Sequence, residues 1–318
     1  MTTPSTLSTV QGPTLQAVPL LTRVMRLLLP YLLIAPTLLG VFTFTLLPAA
    51  RTVHDSLYQP PRMARDEPTF VGLDNYVSLF NPQHHLGARF TQILSNTFAF
   101  SVATVGISVP IGLGMALLLN RRIRALGAWR FAVFYPSLLP LIGAASIWAF
   151  LYADTVGLIN TALRGLGIPT NNWLGNPNTV LWSIIMVDIW KQAGYHMLFF
   201  LAGLQAIPQD IYESAELDGA GYWQQLRYLT LPLLRRTLLF VLVVALTFSF
   251  QTVEQLGALG MGQPADRGNL LLYFIFQNIG ERRNWGYINA MSVVLALTLL
   301  IFTVSNFFLL ERGRDDER

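Results

Sequence analysis

The chain has 318 residues, of which 53% are hydrophobic and only 12% charged, and its mean hydropathy is +0.47. A soluble domain carries about 25% charged residues, so soluble globular, disordered and collagen-like classes are excluded, and lipid is the solvent for much of this chain. There is no cysteine, and the four histidines (54, 84, 85 and 196) are scattered. Disulfide scaffolds, thiol catalysis and cysteine-based metal sites are therefore excluded, and no metal site is expected. The pI near 9.5 is read as basic loops that set membrane topology, not as a nucleic-acid surface. Of the 21 basic residues only Lys191 is lysine.

Residues 1–22 are uncharged and Thr/Ser/Pro-rich, and read as a flexible tail. A cleaved signal peptide is not expected, because the apolar run that follows is too long. A span needs about 20 apolar residues. Six segments qualify, at about 28–50, 97–120, 131–153, 180–203, 236–254 and 287–310. The expected fold class is all-α: a polytopic membrane helical bundle of six transmembrane helices, in one transmembrane domain over 23–318. Prolines within the spans (Pro30, Pro36, Pro110, Pro136, Pro140) are tolerated where neighbours satisfy the freed backbone groups. Arginine is about twofold denser in the stretches that are cytoplasmic if the N-terminus is inside, most clearly in the short loop 121–130. Both termini are therefore expected on the cytoplasmic side. The outer segments 51–96, with FVGLDNY at 70–76, and 154–179, with NNWLGNPN at 171–178, are rich in turn formers and aromatics and are read as ordered caps.

Between the fourth and fifth spans lies the long amphipathic segment 207–234, IPQDIYESAELDGAGYWQQLRYLTLPLL. It reads as a short helix around Ile211–Asp218, a small-residue break at Gly219–Gly221, and a second helix from Trp223. Pro232 marks the start of the next span. Physics alone leaves open whether this is a solvated interfacial element or a partner-binding one.

Glu213-Ser214-Ala215-x-x-Asp218-Gly219-Ala220, followed by Leu231-Pro232, resembles the EAA loop of binding-protein-dependent ABC importer permeases, with Ser214 in place of the usual alanine. FVGLDNY at 70–76, Asn96-Thr97, FLAGLQAIP at 200–208 and GQPADRGNLLLY at 262–273 resemble the carbohydrate and glycerol-phosphate (maltose-type) branch, with Gln263 and Gly268 as departures. The resemblance implies the type I importer permease fold in an inner membrane. It implies that this loop couples to a separate cytosolic ATPase. It further implies as partners a homologous second permease, two cytosolic ATP-binding subunits and an extracytoplasmic binding protein. Gly219 and Ala220 suit close approach of a partner backbone, and Glu213 and Asp218 can accept charge-assisted hydrogen bonds from it.

A phosphate-binding Walker loop needs G-x-x-x-x-G-K-[ST], and the one lysine follows Val187-Asp188-Ile189-Trp190. No ATPase activity or cofactor is expected in this chain; ATP and Mg belong to the partner. Within the fourth span Asp188, Lys191, Gln192 and Tyr195 fall at i, i+3, i+4 and i+7, on one helical face. A charge at the bilayer centre costs about 3 kcal/mol, so this face is either an Asp188–Lys191 pair that satisfies itself or a wall of the substrate pathway. Thr247, Gln251 and Glu254 fall at i, i+4 and i+7 of the fifth span, on one helical face with Phe250 beside them, and with Asn289 and Ser292 in the sixth they add amides, a carboxylate and an aromatic suited to hydroxyl-rich ligands. The resemblance places Asp188, Gln192, Tyr195, Phe250 and Gln251 at a sugar site. His196 is read as a packed hydrogen-bonder, and Trp148, Trp182 and Trp190 as packing residues.

The expected function is the transmembrane permease subunit of an ATP-driven importer of a sugar. Glycerol-3-phosphate or its diesters are the alternative cargo. A proton-coupled secondary transporter using Asp188, Lys191 or Glu254 is the rival of another class, opposed by the lack of inverted repeats. A membrane-embedded enzyme finds no HExxH or GxSxG motif to support it.

Overall fold

The computed structural model describes residues 20–60, 67–121, 124–281 and 284–315. Most of the predicted tail, residues 1–19, and the arginines at 62, 65, 122, 282, 283 and 318 lie outside the described residues. The chain divides into two units, 1–51 and 52–318. In the first, α1 (Leu20–Val41) runs through a π-helical stretch, Phe42–Leu46, into α2 (Leu47–Asp55), whose last four residues belong to the second. Pro48 supplies no N–H to the carbonyl four residues back, and the widened turn sits directly before it.

In the second unit a two-residue antiparallel hairpin, β1 (Tyr58–Gln59) with β2 (Thr69–Phe70), pairs Tyr58 with Phe70. Then come α3 (Asp74–Phe80) and the long α4 (Gly87–Leu119). Next are α5 (Leu126–Leu138), α6 (Leu141–Leu151), α7 (Leu158–Gly165) and α8 (Val180–Gln205). The segment predicted to be amphipathic holds α9 (Gln209–Leu217), α10 (Tyr222–Gln225), a π-helical turn Leu226–Thr230 and α11 (Leu231–Leu233). The chain ends with α12 (Arg235–Phe250), α13 (Glu254–Ala258), α14 (Leu271–Asn278) and α15 (Trp285–Asp315).

Helix α4 is the axis of this unit, because three core clusters share it. Phe90 and Ile93 pack with Leu79, Phe274, Ile288 and Met291. Phe100 packs with Val180, Ile184, Leu256 and Tyr273. Val105, Val109 and Ala116 pack with Met197, Phe200, Leu204 and Val241. Gly112 lets α8 approach closely: a Cβ there would sit 2.8 Å from that of His196. Gly194 does the same for α5, since a Cβ would collide with the Val133 carbonyl.

Among the described residues three helices are long and apolar enough to cross a membrane, Leu29–Asp55, Gly87–Leu119 and Trp285–Asn306, or up to five if each of two bent pairs is one span. Helix α8 has 26 residues, about 39 Å at 1.5 Å each, but Asp188, Lys191 and Gln192 in its middle lower its hydropathy. The third predicted span is corrected. It is two helices, α5 and α6, bent by 97°. Leu139 between them is extended, with ψ 138, because the residue before a proline is pushed out of the helical region. The fifth is corrected too. α12 stops at Phe250, and Glu254 opens the separate helix α13, so Thr247, Gln251 and Glu254 do not share one helix face. The second span begins ten residues before its predicted start, at Gly87, because the polar segment 87–96 still buries Phe90 and Ile93 one turn apart.

The described residues of the outer segments are held by buried side-chain hydrogen bonds. Asn75 of FVGLDNY is fully buried and donates to the carbonyls of Ser56 at 2.7 Å and Tyr58 at 3.0 Å. Asn160, also fully buried, donates to the Asn171 carbonyl at 2.9 Å and accepts from Trp173 Nε1 at 2.9 Å.

Candidate functional site

The segment 209–220 is a helix closed by a Schellman motif. The N–H of Ala220 bonds the Ala215 carbonyl at 2.9 Å, and the N–H of Gly219 bonds that of Glu216 at 3.0 Å. This closure needs a left-handed residue after the helix, and Gly219 supplies it with φ +80. Space around Gly219 is open, so its backbone and not crowding demands glycine. Ser214, the departure from alanine, donates its hydroxyl to the Asp210 carbonyl at 2.8 Å, a contact within its own helix. The Gly221 N–H donates to Gln224 Oε1 at 2.8 Å and starts α10. Glu213, Ser214, Asp218 and Gly219 are exposed and Ala215 and Ala220 half-buried, while Leu217 is 90% and Trp223 76% exposed. Leu231 and Pro232 sit in α11, both exposed, before a 66° bend leads into α12. The result is an acidic, partly apolar projection held together by its own backbone.

The polar set predicted within the spans does not form one cluster. Asp188 is 2% exposed and one carboxylate oxygen has no hydrogen-bond partner. Among the described residues no ion pair joins it to Lys191. The Lys191 ammonium instead donates to the carbonyls of Leu139 at 2.6 Å and Ser137 at 3.1 Å, capping the C-terminal end of α5 at the bend. Gln192 and Tyr195 are half-buried. Tyr195 meets the rings of Phe199 at 4.9 Å and Phe248 at 6.1 Å. Phe250 is a core residue between Phe98, at 5.7 Å, and Phe302, at 5.5 Å. Gln251 and Glu254 are exposed, and Asn289 donates to the Trp285 carbonyl of its own helix at 3.0 Å.

Sequence reasoning missed a polar clamp at the other end of α4. Arg89 pairs with Asp266 through two hydrogen bonds, Nε at 2.7 Å and Nη2 at 3.2 Å. Asn96 donates to the carbonyls of Asp266 at 2.7 Å and Asn269 at 3.1 Å. The Leu271 N–H donates to Thr97 Oγ1 at 2.8 Å. Burial alone would raise the Asp266 carboxyl, but hydrogen bonds from Arg89 and Asn269 outweigh it and hold it below the usual carboxylate range. The clamp fixes a loop with positive φ at Gly260, Met261, Gly262, Ala265 and Asp266. The resembling motifs Asn96-Thr97 and GQPADRGN meet here, and that coincidence was the only signal in the sequence. Among the described residues no group of three His, Asp or Glu could hold a metal ion.

The family model of the binding-protein-dependent transport system inner membrane component matches residues 108–312. The chain is 34% identical over 278 residues to the trehalose/maltose transport system permease protein MalF of Thermococcus litoralis, covering 87% of this chain and 91% of the relative. It is 32% identical over 287 residues to the sn-glycerol-3-phosphate transport system permease protein UgpA of Yersinia pestis, covering 89% of this chain and 94% of that one. In fold it is similar to a chain of a bacterial alginate ABC transporter solved in complex with an alginate pentasaccharide-bound periplasmic protein. That TM-score is 0.76 at 21% identity, covering 90% of this chain and 95% of the other. This likeness shows that the two chains share a fold. The chain belongs to the family of inner membrane components of binding-protein-dependent transport systems, the permease and not the ATPase of an importer.

Proposed function

We propose that this chain forms half of the translocation pathway of an ATP-driven importer for a neutral sugar, and that Glu213–Ala220 with Leu231-Pro232 transmits ATP-driven motion from a cytosolic ATPase. The observation that carries this reading is the exposed α9–Gly219–α10 projection, whose Schellman closure presents Glu213 and Asp218 to a partner. Six spans follow if each bent pair is one and α8 is added, with both termini cytoplasmic. The partners are then a second permease, two ATP-binding subunits that hold ATP and Mg, and an extracytoplasmic binding protein.

A neutral cargo is supported by Lys191. Two of its three donors are engaged by backbone carbonyls, leaving the amides of Gln192 and Gln251, the phenol of Tyr195 and the carboxylate of Glu254 as the accessible polar groups of the proposed pathway. Asp188, Phe250 and Asn289 support this wall from buried or neighbouring positions. A phosphate cargo is the second reading, favoured by the 32% identity to the glycerol-3-phosphate permease UgpA. Uptake of radiolabelled maltose and glycerol-3-phosphate into cells expressing the full system tests it. Uptake is expected to collapse when the Walker lysine of the co-expressed ATPase is replaced, and to survive a proton uncoupler. Uptake that follows the uncoupler and ignores the ATPase overturns it.

A further inference from the structure

A cavity of about 430 Å³ separates the α9–α10 projection from the ends of α4 and α8. Ligand sites usually measure about 300–1,000 Å³, so this one has room for a mono- or disaccharide. One wall is the face of α9 carrying Gln209, Tyr212 and Glu216, spaced i, i+3 and i+7. The opposite wall is Asn120 and Arg121, past the end of α4, with Leu204 of α8. Tyr222 and Gln225 of α10 close it, with the Arg121 guanidinium 5.3 Å from the Tyr222 ring centre. The Tyr212 hydroxyl bonds Thr230 Oγ1 at 3.1 Å, and Gln225 Nε2 donates to the Ala220 carbonyl at 3.1 Å. The walls are thus tied to the turn at Gly219.

The lining is balanced in charge, one guanidinium against one carboxylate, and is otherwise three carboxamides, two phenols, the Thr230 hydroxyl and apolar surface. That chemistry suits a neutral polyhydroxylated ligand: amides and the carboxylate take hydroxyls, and the tyrosine rings take the apolar face of a sugar. Glu216 opposes a phosphate. A ligand here touches the projection on one side and the ends of α4 and α8 on the other, so it bridges the element that moves to the elements it must move.

We propose that this cavity is a second, cytoplasm-facing site for a neutral sugar, distinct from the translocation pathway, and that its occupation restrains the α9–α10 projection and slows coupled ATP hydrolysis. The proposal rests on the importer reading above, because it makes accumulated cargo a brake on its own import.

The test uses the complete transporter with its ATPase and binding protein in proteoliposomes. This chain has no cysteine, so Asn120→Cys places a single thiol of this chain in the cavity, with Gln225→Cys as a second position should the first fail to assemble. Tyr228→Cys, on a 69% exposed side chain outside the cavity lining, is the control. Maleimide labelling is measured with glycerol, glucose, maltose, trehalose or inorganic phosphate on the cytoplasmic face. At least one sugar is expected to slow cavity labelling threefold or more, with no effect of phosphate and none at the control. The same sugar is expected to lower binding-protein-stimulated ATPase activity at least twofold, and Arg121→Leu to abolish that fall. No protection by any sugar, or protection by phosphate alone, overturns the proposal. If ATP hydrolysis still responds to the loaded binding protein in that case, the importer reading stands while the cavity site falls.

Discussion

The ammonium nitrogen of Lys191 lies 2.6 Å from the carbonyl oxygen of Leu139, between the two helices that meet at 97°. The only lysine of the chain therefore serves a backbone break. Pro140 forces Leu139 out of the helix, the last carbonyls of α5 lose their intrahelical donors, and a cation from α8 replaces them. Gly194, one turn further along α8, lets the α5 backbone come close enough for this contact.

Lys191→Met keeps an unbranched side chain one atom shorter but orphans two acceptors, which costs about 1–3 kcal/mol. The purified complex is expected to melt at a lower temperature while any assembled fraction retains uptake. Unchanged melting with abolished uptake would return Lys191 to the cargo pathway.

Gly194→Ala is expected to destabilise by about 1–3 kcal/mol through overpacking against the Val133 carbonyl. Gly127→Ala, where a new methyl meets nothing within 4 Å, is expected to leave yield and melting unchanged. Equal behaviour of the two variants would contradict the α5–α8 packing.

The Arg89–Asp266 clamp carries a pH dependence. The folded carboxyl sits below its unfolded value, so its stabilisation is complete above the unfolded value and is lost as pH falls through the folded one. Amide exchange in 262–270, corrected for intrinsic rate, is expected to be slow at neutral pH and to accelerate in acid. In Arg89→Ala it is expected to be fast at both. Protection that persists in the variant would show that Asn96 and Thr97 hold the loop alone.

Along the proposed pathway, Tyr195→Ala and Gln251→Ala are expected to reduce uptake at least severalfold without loss of assembled complex. Wild-type uptake by both would move the site to the partner permease.

Hydropathy marked Leu29–Asp55, Gly87–Leu119 and Trp285–Asn306, because burying a span in lipid demands about 20 apolar residues whatever its neighbours are. It did not locate the bend at Pro140, since prolines such as Pro110 lie inside a continuous helix here and the sequence does not distinguish the two. Periodicity failed at Gln251–Glu254, because a helix face assumes a helix that continues, and α12 stops at Phe250. The turn at Gly219 was legible since Asp218-Gly219-Ala220 specifies its own closure through local bonds. Arg89 and Asp266 stand 177 residues apart, and nothing local in either neighbourhood announces the pairing. The cavity between α9 and the end of α4 is likewise a product of tertiary packing.

The most direct test of the central claim is substrate-stimulated ATP hydrolysis by the reconstituted complex carrying Gly219→Asp or Glu213→Lys, with membrane insertion verified by yield. Coupling through the exposed α9–Gly219–α10 turn predicts normal insertion with loss of both stimulation and uptake in each variant. Full substrate-stimulated hydrolysis in both would contradict it.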